Sequence, residues 1–169
     1  MSSNFLPSIN KDAIKKAIAS GDDEQLYDIL VQPLHEELYR RRTFDFLDGL
    51  SQGQQLLLAY DYLRMQVGQG GFIQFIHNGY VGMLPSMIEQ LYAIGSNDMA
   101  LVLDDVLKVY VLNRDLLNKA TTVQEFAQLY DELKEFEVIE EQYNKIKNQT
   151  VKHMLEYAAG HLPEFVKQD

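Results

Sequence analysis

The sequence has 169 residues, 46% of them hydrophobic, which is enough for one folded domain with a sizeable core and too apolar for a disordered chain. It contains no cysteine, so disulfides, thiolate catalysis and cysteine-ligated zinc are excluded. Twenty-five acids against 15 Lys and Arg give a formal charge of -10, the wrong sign for a protein that must replace phosphate counterions with its own cations.

The stretch from Met1 to Pro7 lacks a charged segment followed by an apolar run, and no apolar run reaches the roughly 20 residues of a spanning helix. A cytoplasmic protein with no membrane contact is expected. Ser8 or Asn10 caps a first helix through Ala13, Ile14, Ala17 and Ile18, and Gly21 stops it. A second starts near Asp22, with Leu26, Ile29 and Leu30 on its apolar face. Pro33 fits the first turn of a third, which carries Leu34, Leu38 and Phe46. The basic run Arg40-Arg41-Arg42 reads as a salt-bridge patch, internal or between subunits, rather than a nucleic-acid contact.

Ser51 and Gln54 have capping-box spacing and open a strongly apolar helix through Leu56, Leu57, Tyr60, Leu63, Met65 and Val67, which Gly68 ends. A short helix closed by Gly79 follows, containing Phe72, Phe75 and Ile76. Pro85 marks the first turn of the next, carrying Met87, Ile88, Leu91, Tyr92 and Ile94 up to Gly95. Asn97 caps another, with Met99, Leu101, Val102, Leu103, Val106, Leu107 and Val109. Thr121 or Thr122 caps one with Val123, Phe126, Leu129, Tyr130 and Leu133. The last long helix covers roughly Phe136 to Ala159, and Gly160 with Pro163 ends it. Strand alternation is absent, including at Leu107–Leu112, whose composition is β-rich but whose flanks are helical. The expectation is an all-α protein, a single compact multi-helix domain over residues 1–169 with about seven to nine helices.

Catalytic and metal signatures are missing. The four histidines, His35, His77, His153 and His161, show neither His-x-x-x-His nor Glu-x-x-His spacing, so no metal site is expected. Gly68-Gln69-Gly70-Gly71 lacks the third glycine of a dinucleotide fingerprint, the Gly-Lys-Ser/Thr of a phosphate loop and a preceding strand. No Gly-x-Ser-x-Gly elbow occurs, and the neighbours Asp104 and Asp105 point about 100° apart on a helix. His77 and Asn78 are the remaining candidates for an acid–base site. The simpler reading of Gly70, Gly71, Phe72, Gln74, Phe75 and Asn78 is a structural centre. There the glycines allow close backbone approach, the aromatics fill the core, and Gln74 and Asn78 bond backbone groups or each other. Neither an enzyme nor a cofactor is expected.

Acids are unevenly placed. Asp22, Asp23, Glu24, Asp28, Glu36 and Glu37 form one block with no Lys or Arg between them, and Glu125, Asp131, Glu132, Glu135, Glu137, Glu140 and Glu141 form a second that contains only Lys134. A solvated acidic face is the ordinary use of such blocks. Asp131 with Glu135, and Glu137 with Glu141, stand four apart, a spacing that places Cβ atoms about 5–6 Å from one another on one helix face. Rows of like charge at that spacing imitate a phosphate backbone and would meet a Lys/Arg-rich partner.

The segment Gly70-Gly71-Phe72-Ile73-Gln74-Phe75-Ile76-His77-Asn78-Gly79 resembles the Asn-Gly-Gly-Phe-x-Gln-Phe-x-x-Asn signature of a bacterial domain-of-unknown-function family whose best-described member is an acidic DNA mimic. Similar context lies at Met87–Gly95 and at Tyr157 to Phe165, so the resemblance spans most of residues 50–165. The family's acidic-x-Asn-Asn run is Gln66-Val67-Gly68-Gln69 here. The resemblance implies an all-helical fold and a homodimer that occupies the DNA-binding surface of a helix-turn-helix transcription factor. The implied partner is a basic DNA-binding protein rather than nucleic acid, and the two acidic blocks are the residues expected to meet it. The alternative is an interaction or regulatory module that binds through an apolar surface.

Overall fold

A computed structural model describes residues 3–119 and 122–168. They hold no β-strand, and the helices are α1 (Lys11–Ser20), α2 (Asp23–Arg41), α3 (Gln52–His77), α4 (Leu84–Ala93), α5 (Asn97–Leu112), α6 (Arg114–Lys119), α7 (Val123–Glu132) and α8 (Glu135–Gly160), with short 3-10 helices at Phe44–Gly49, Val81–Met83 and Leu162–Glu164. The all-α expectation holds. None of the described helices is long and apolar enough to cross a membrane. The chain forms two compact units, Met1–Asp61 with Gln149–Asp169, and Tyr62–Asn148.

In the first unit, Asn10 caps α1 by accepting the N–H groups of Asp12 (2.8 Å) and Ala13 (3.3 Å), and Gly21 closes it with φ +67°. Asp22 caps α2, which then runs through Pro33 to Arg41 without a break. The helix start expected at Pro33 is therefore absent. An internal proline costs about 3 kcal/mol through the lost hydrogen bond and the crowded carbonyl one turn back. Leu26, Leu30, Leu34 and Leu38 are each 6% exposed or less, and burial of each contributes roughly 1.5–3 kcal/mol. Their shared face outweighs the proline. Phe46, expected on that helix, lies instead in the 3-10 turn after it, with its ring edge-on to Phe5.

The capping box at the start of α3 is present. Ser51 Oγ accepts the Gln54 N–H at 3.2 Å, and Gln54 Oε1 accepts the Ser51 N–H at 3.0 Å. The buried Gln54 amide also donates to the Phe5 and Phe165 carbonyls, joining both ends of the chain to this helix. A Cβ at Gly53 would overlap the Phe165 ring, so only glycine fits under it.

In the second unit, α3 passes Gly68 as ordinary helix and kinks at Gly70 and Gly71. Gly71 has φ +72° and ψ -171°, a region open to glycine and closed to residues with a Cβ. The expected stop at Gly68 is thus displaced to this pair, because Gly68 needs neither unusual dihedrals nor close approach. Pro85 occupies the first turn of α4, Ile94 caps its end, and Gly95 (φ +84°) turns the chain into α5. Ser96, rather than Asn97, takes the cap position of α5. Helix α5 includes the β-rich segment to Leu112, and α6 had no separate sequence signal. Thr122 caps α7 in a complete capping box with Glu125, while Thr121 lies outside the described residues. Phe72, Phe75, Leu84, Met87, Leu91, Leu103, Val106 and Phe136 fill the core.

Candidate functional site

The kink at Gly70–Gly71 exposes backbone groups that regular helix would satisfy internally, and two side chains take them up. Tyr130 on α7 donates its hydroxyl to the Gly70 carbonyl at 2.5 Å. Glu140 on α8 accepts the Phe72 N–H at 2.9 Å, acting as a cap for the helix that restarts there. Burial pushes the Glu140 carboxyl above the usual range, partly countered by the Phe72 N–H, with nearby Glu137 raising it further. The Tyr130 phenol is raised by burial and then by the Glu140 charge. A Cβ at Gly71 would collide with the Glu140 carboxylate, and one at Gly70 with the Gln74 side chain. Backbone geometry and the Glu140 carboxylate together favour glycine at 71, and the Gln74 side chain favours it at 70.

Of the other motif residues, Phe72 and Phe75 are buried, Gln74 is half-buried and Asn78 is exposed. Phe72 meets Tyr143 edge-to-face at 5.5 Å, and Phe75 stacks on Tyr80 at 5.8 Å. Gln74 and Asn78 do not bond each other. Their amides converge on Gln66 Oε1, at 3.1 and 2.7 Å, and Gln74 also donates to Gln69 at 3.1 Å. Spacing of four made a mutual bond feasible, but the kink swings both towards the preceding turns. His77 is exposed with its ring 4.6 Å from that of Phe126.

The second acidic block is divided by a helix break. Glu125 completes the α7 capping box. Asp131 ends up on α7 and Glu135 on α8, with Leu133 as the α7 C-cap, so this pair does not share one helix face as its spacing implied. Glu137 and Glu141 do share α8. Asp131, Glu132, Glu135 and Glu141 are exposed, and among the described residues none forms an ion pair. Glu137 approaches Lys134 at 3.6 Å, a solvated pair of little energetic weight. Glu140 turns inward to the kink and leaves the exposed set.

The first block does not form one cluster. Asp22, Asp23, Glu24 and Asp28 are exposed at the start of α2, where acids suit the helix dipole, and Asp22 is its cap. Glu36 lies eight residues beyond Asp28 and thirteen beyond Asp23, about 12 and 20 Å along the helix. Glu36 is exposed. Glu37 receives Arg40 at 2.5 and 2.9 Å and Arg41 at 2.7 Å, and these hydrogen bonds hold its carboxyl down at about 2. Arg41 also lies over the Phe46 ring at 4.7 Å. The arginine run is the internal salt-bridge patch expected for it in the case of Arg40 and Arg41.

Two groups escaped the sequence reading. Tyr130 carried no motif. Asp61, buried on α3, receives the Tyr27 hydroxyl at 2.8 Å and lies 2.6 Å from His35 Nε2. The signal available for Asp61 was a lone acid inside an otherwise apolar helical run. Among the described residues no group of three or more His, Asp or Glu is arranged to hold a metal ion.

A family model described as DMP19-like protein matches residues 48–161, well over half of the chain and inclusive of the kink, α7 and α8. Neither the curated proteins nor the solved structures contain a significant match.

Proposed function

The chain belongs to the DMP19-like protein family, and from that membership we propose that it is an acidic, non-enzymatic DNA mimic which occupies the DNA-binding surface of a helix-turn-helix transcription factor and keeps it from its operator. The observation that supports this most is the set Asp131, Glu132, Glu135 and Glu141, exposed around the α7–α8 junction without cationic partners among the described residues. Asp23, Asp28 and Glu36 on α2 are further surrogates for phosphate. Glu37 and Glu140 serve the fold instead.

In this reading a Lys/Arg-rich surface that normally neutralises phosphates finds carboxylates already fixed in space. Complementary charge speeds encounter and sets register more than it adds affinity. The partner is a basic DNA-binding protein in the cytoplasm, and the mimic acts as a homodimer. The exposed Val111, Leu112 and Leu116 at the end of α5 and on α6 are an apolar surface that a second copy would cover. A non-mimic interaction module would use that apolar end in place of the acids.

The test is affinity capture followed by a salt series and competition with operator DNA. The mimic reading expects DNA to displace the retained protein, and retention to fall on the order of tenfold or more between about 50 and 200 mM salt. A complex that still holds DNA, or one indifferent to salt, would sink it.

A further inference from the structure

We propose that the Gly70–Gly71 kink is the seat that holds α7 and α8 in register, with Tyr130 and Glu140 as positioning residues for the acids those helices carry. The proposal rests on the reading of the α7–α8 acids as the partner-binding surface.

Helix α7 has ten residues, of which only Leu129 is buried. A helix this short is marginal in water on its own, and one buried leucine gives it little anchorage. What else holds it is a run of ring contacts, His77 to Phe126 at 4.6 Å and Phe126 to Tyr130 at 5.4 Å, ending in the Tyr130 bond to Gly70. The acids Asp131 and Glu132 follow Tyr130 directly. On α8, Glu140 bonds the other side of the same kink, and Glu141 follows it directly. Each seated residue is thus next in sequence to a presented one. Two consecutive residues on a helix point about 100° apart, so the arrangement turns one side chain inward to the kink and its neighbour outward to solvent.

Like charges on these helices repel and would spread a loosely held pair of elements. Fixing both to one rigid kink sets the spacing of the carboxylates before a partner arrives and reduces the ordering cost of binding. The collision of a Gly71 Cβ with Glu140 is the steric counterpart, since a side chain there would push the carboxylate off the Phe72 N–H.

The chain has no cysteine, so Gln128→Cys on α7 and Gln142→Cys on α8, both at exposed positions, can carry a spin-label pair for distance measurement. Tyr130→Phe and Glu140→Leu should broaden the distance distribution while far-UV circular dichroism keeps its helical signal. Glu140→Gln retains an oxygen acceptor for the Phe72 N–H and should keep the distribution narrow. In parallel, low-salt affinity for a short oligoarginine peptide should fall about threefold or more in Tyr130→Phe and not in Glu140→Gln. Distributions as narrow as wild type in both Tyr130→Phe and Glu140→Leu would overturn the seat. A broadened distribution with unchanged peptide affinity would overturn its link to binding. Failure of the wild-type protein to bind the peptide would instead count against the acidic-surface reading, with the distances still deciding the seat. Gly71→Ala is less useful here because it risks unfolding, whereas Tyr130→Phe removes only a hydroxyl.

Discussion

His35 Nε2 lies 2.6 Å from Oδ2 of the buried Asp61, whose other oxygen accepts the Tyr27 hydroxyl at 2.8 Å. Tyr27 and His35 stand on α2, so one carboxylate ties that helix to α3 within the first unit. A buried carboxylate is tolerated only when its oxygens are met by donors. Hydrogen bonds to a charged group are worth about 1.5–3 kcal/mol, so Tyr27→Phe should lower urea-unfolding stability by that amount, and Asp61→Ala by more. Unchanged midpoints would mean that solvent replaces these bonds without loss.

Two glycines on one helix should respond oppositely to alanine. Gly68→Ala lies in regular helix with nothing within 4 Å of the new methyl, and should stabilise by up to about 1 kcal/mol. Gly71→Ala forces a Cβ into φ +72°, costing about 1–3 kcal/mol in backbone strain before the collision with Glu140 is counted. Denaturant midpoints of the two variants read the difference, and equal effects would contradict the kink.

Acid should separate Glu37 from Glu140. Glu37 is held down at about 2 by Arg40 and Arg41, so the stability it contributes is present above the ordinary carboxylate range and is lost as pH falls through that range towards 2. Glu37→Gln should therefore unfold with a shallower pH dependence across that window. Glu140 is raised by burial, so the sign reverses. Its contribution is present at low pH and is lost as pH rises through the raised value. Relative to Glu140→Gln, wild type should gain stability on acidification. Thermal melts from neutral pH to about 3 follow both, and parallel curves for wild type and Glu140→Gln would contradict a raised carboxyl.

Charge reversal should distinguish presented acids from engaged ones. Glu135→Lys combined with Glu141→Lys should reduce partner retention by at least about tenfold and flatten its salt dependence, with the melting temperature little changed. Glu37→Lys should instead destabilise the fold by placing a third cation against Arg40 and Arg41. Retention unaffected by the first pair would favour the apolar end of α5 as the binding surface.

Much of the helical architecture was legible because its signals are local. Asn10, Asp22, Thr122 and the Ser51–Gln54 box each satisfy backbone groups two or three residues away, so spacing located these ends to within two residues, with Ser8 or Asn10 and Thr121 or Thr122 left as alternatives. Pro33 misled because its penalty is local while the compensating leucine face is buried by distant parts of the chain. Gly68 and Gly70–Gly71 look alike in sequence, and the fold distinguishes the pair through the φ of +72° at Gly71, Glu140 of α8 against it and the Gln74 side chain against Gly70.

The sequence by itself determined the all-helical class, most helix ends, the net acidity and the two acidic blocks, since periodicity, capping and charge are carried by the residues and their near neighbours. Tertiary structure alone decided that Glu140 is withdrawn from the second acidic block. Glu140 and Glu141 are adjacent and chemically identical, yet one caps a helix about seventy residues earlier and the other meets solvent. A carboxylate's role depends on the donors and dielectric around it: Arg40 and Arg41 reach Glu37 within α2 itself, whereas the Phe72 N–H meets Glu140 only once α3 and α8 have packed.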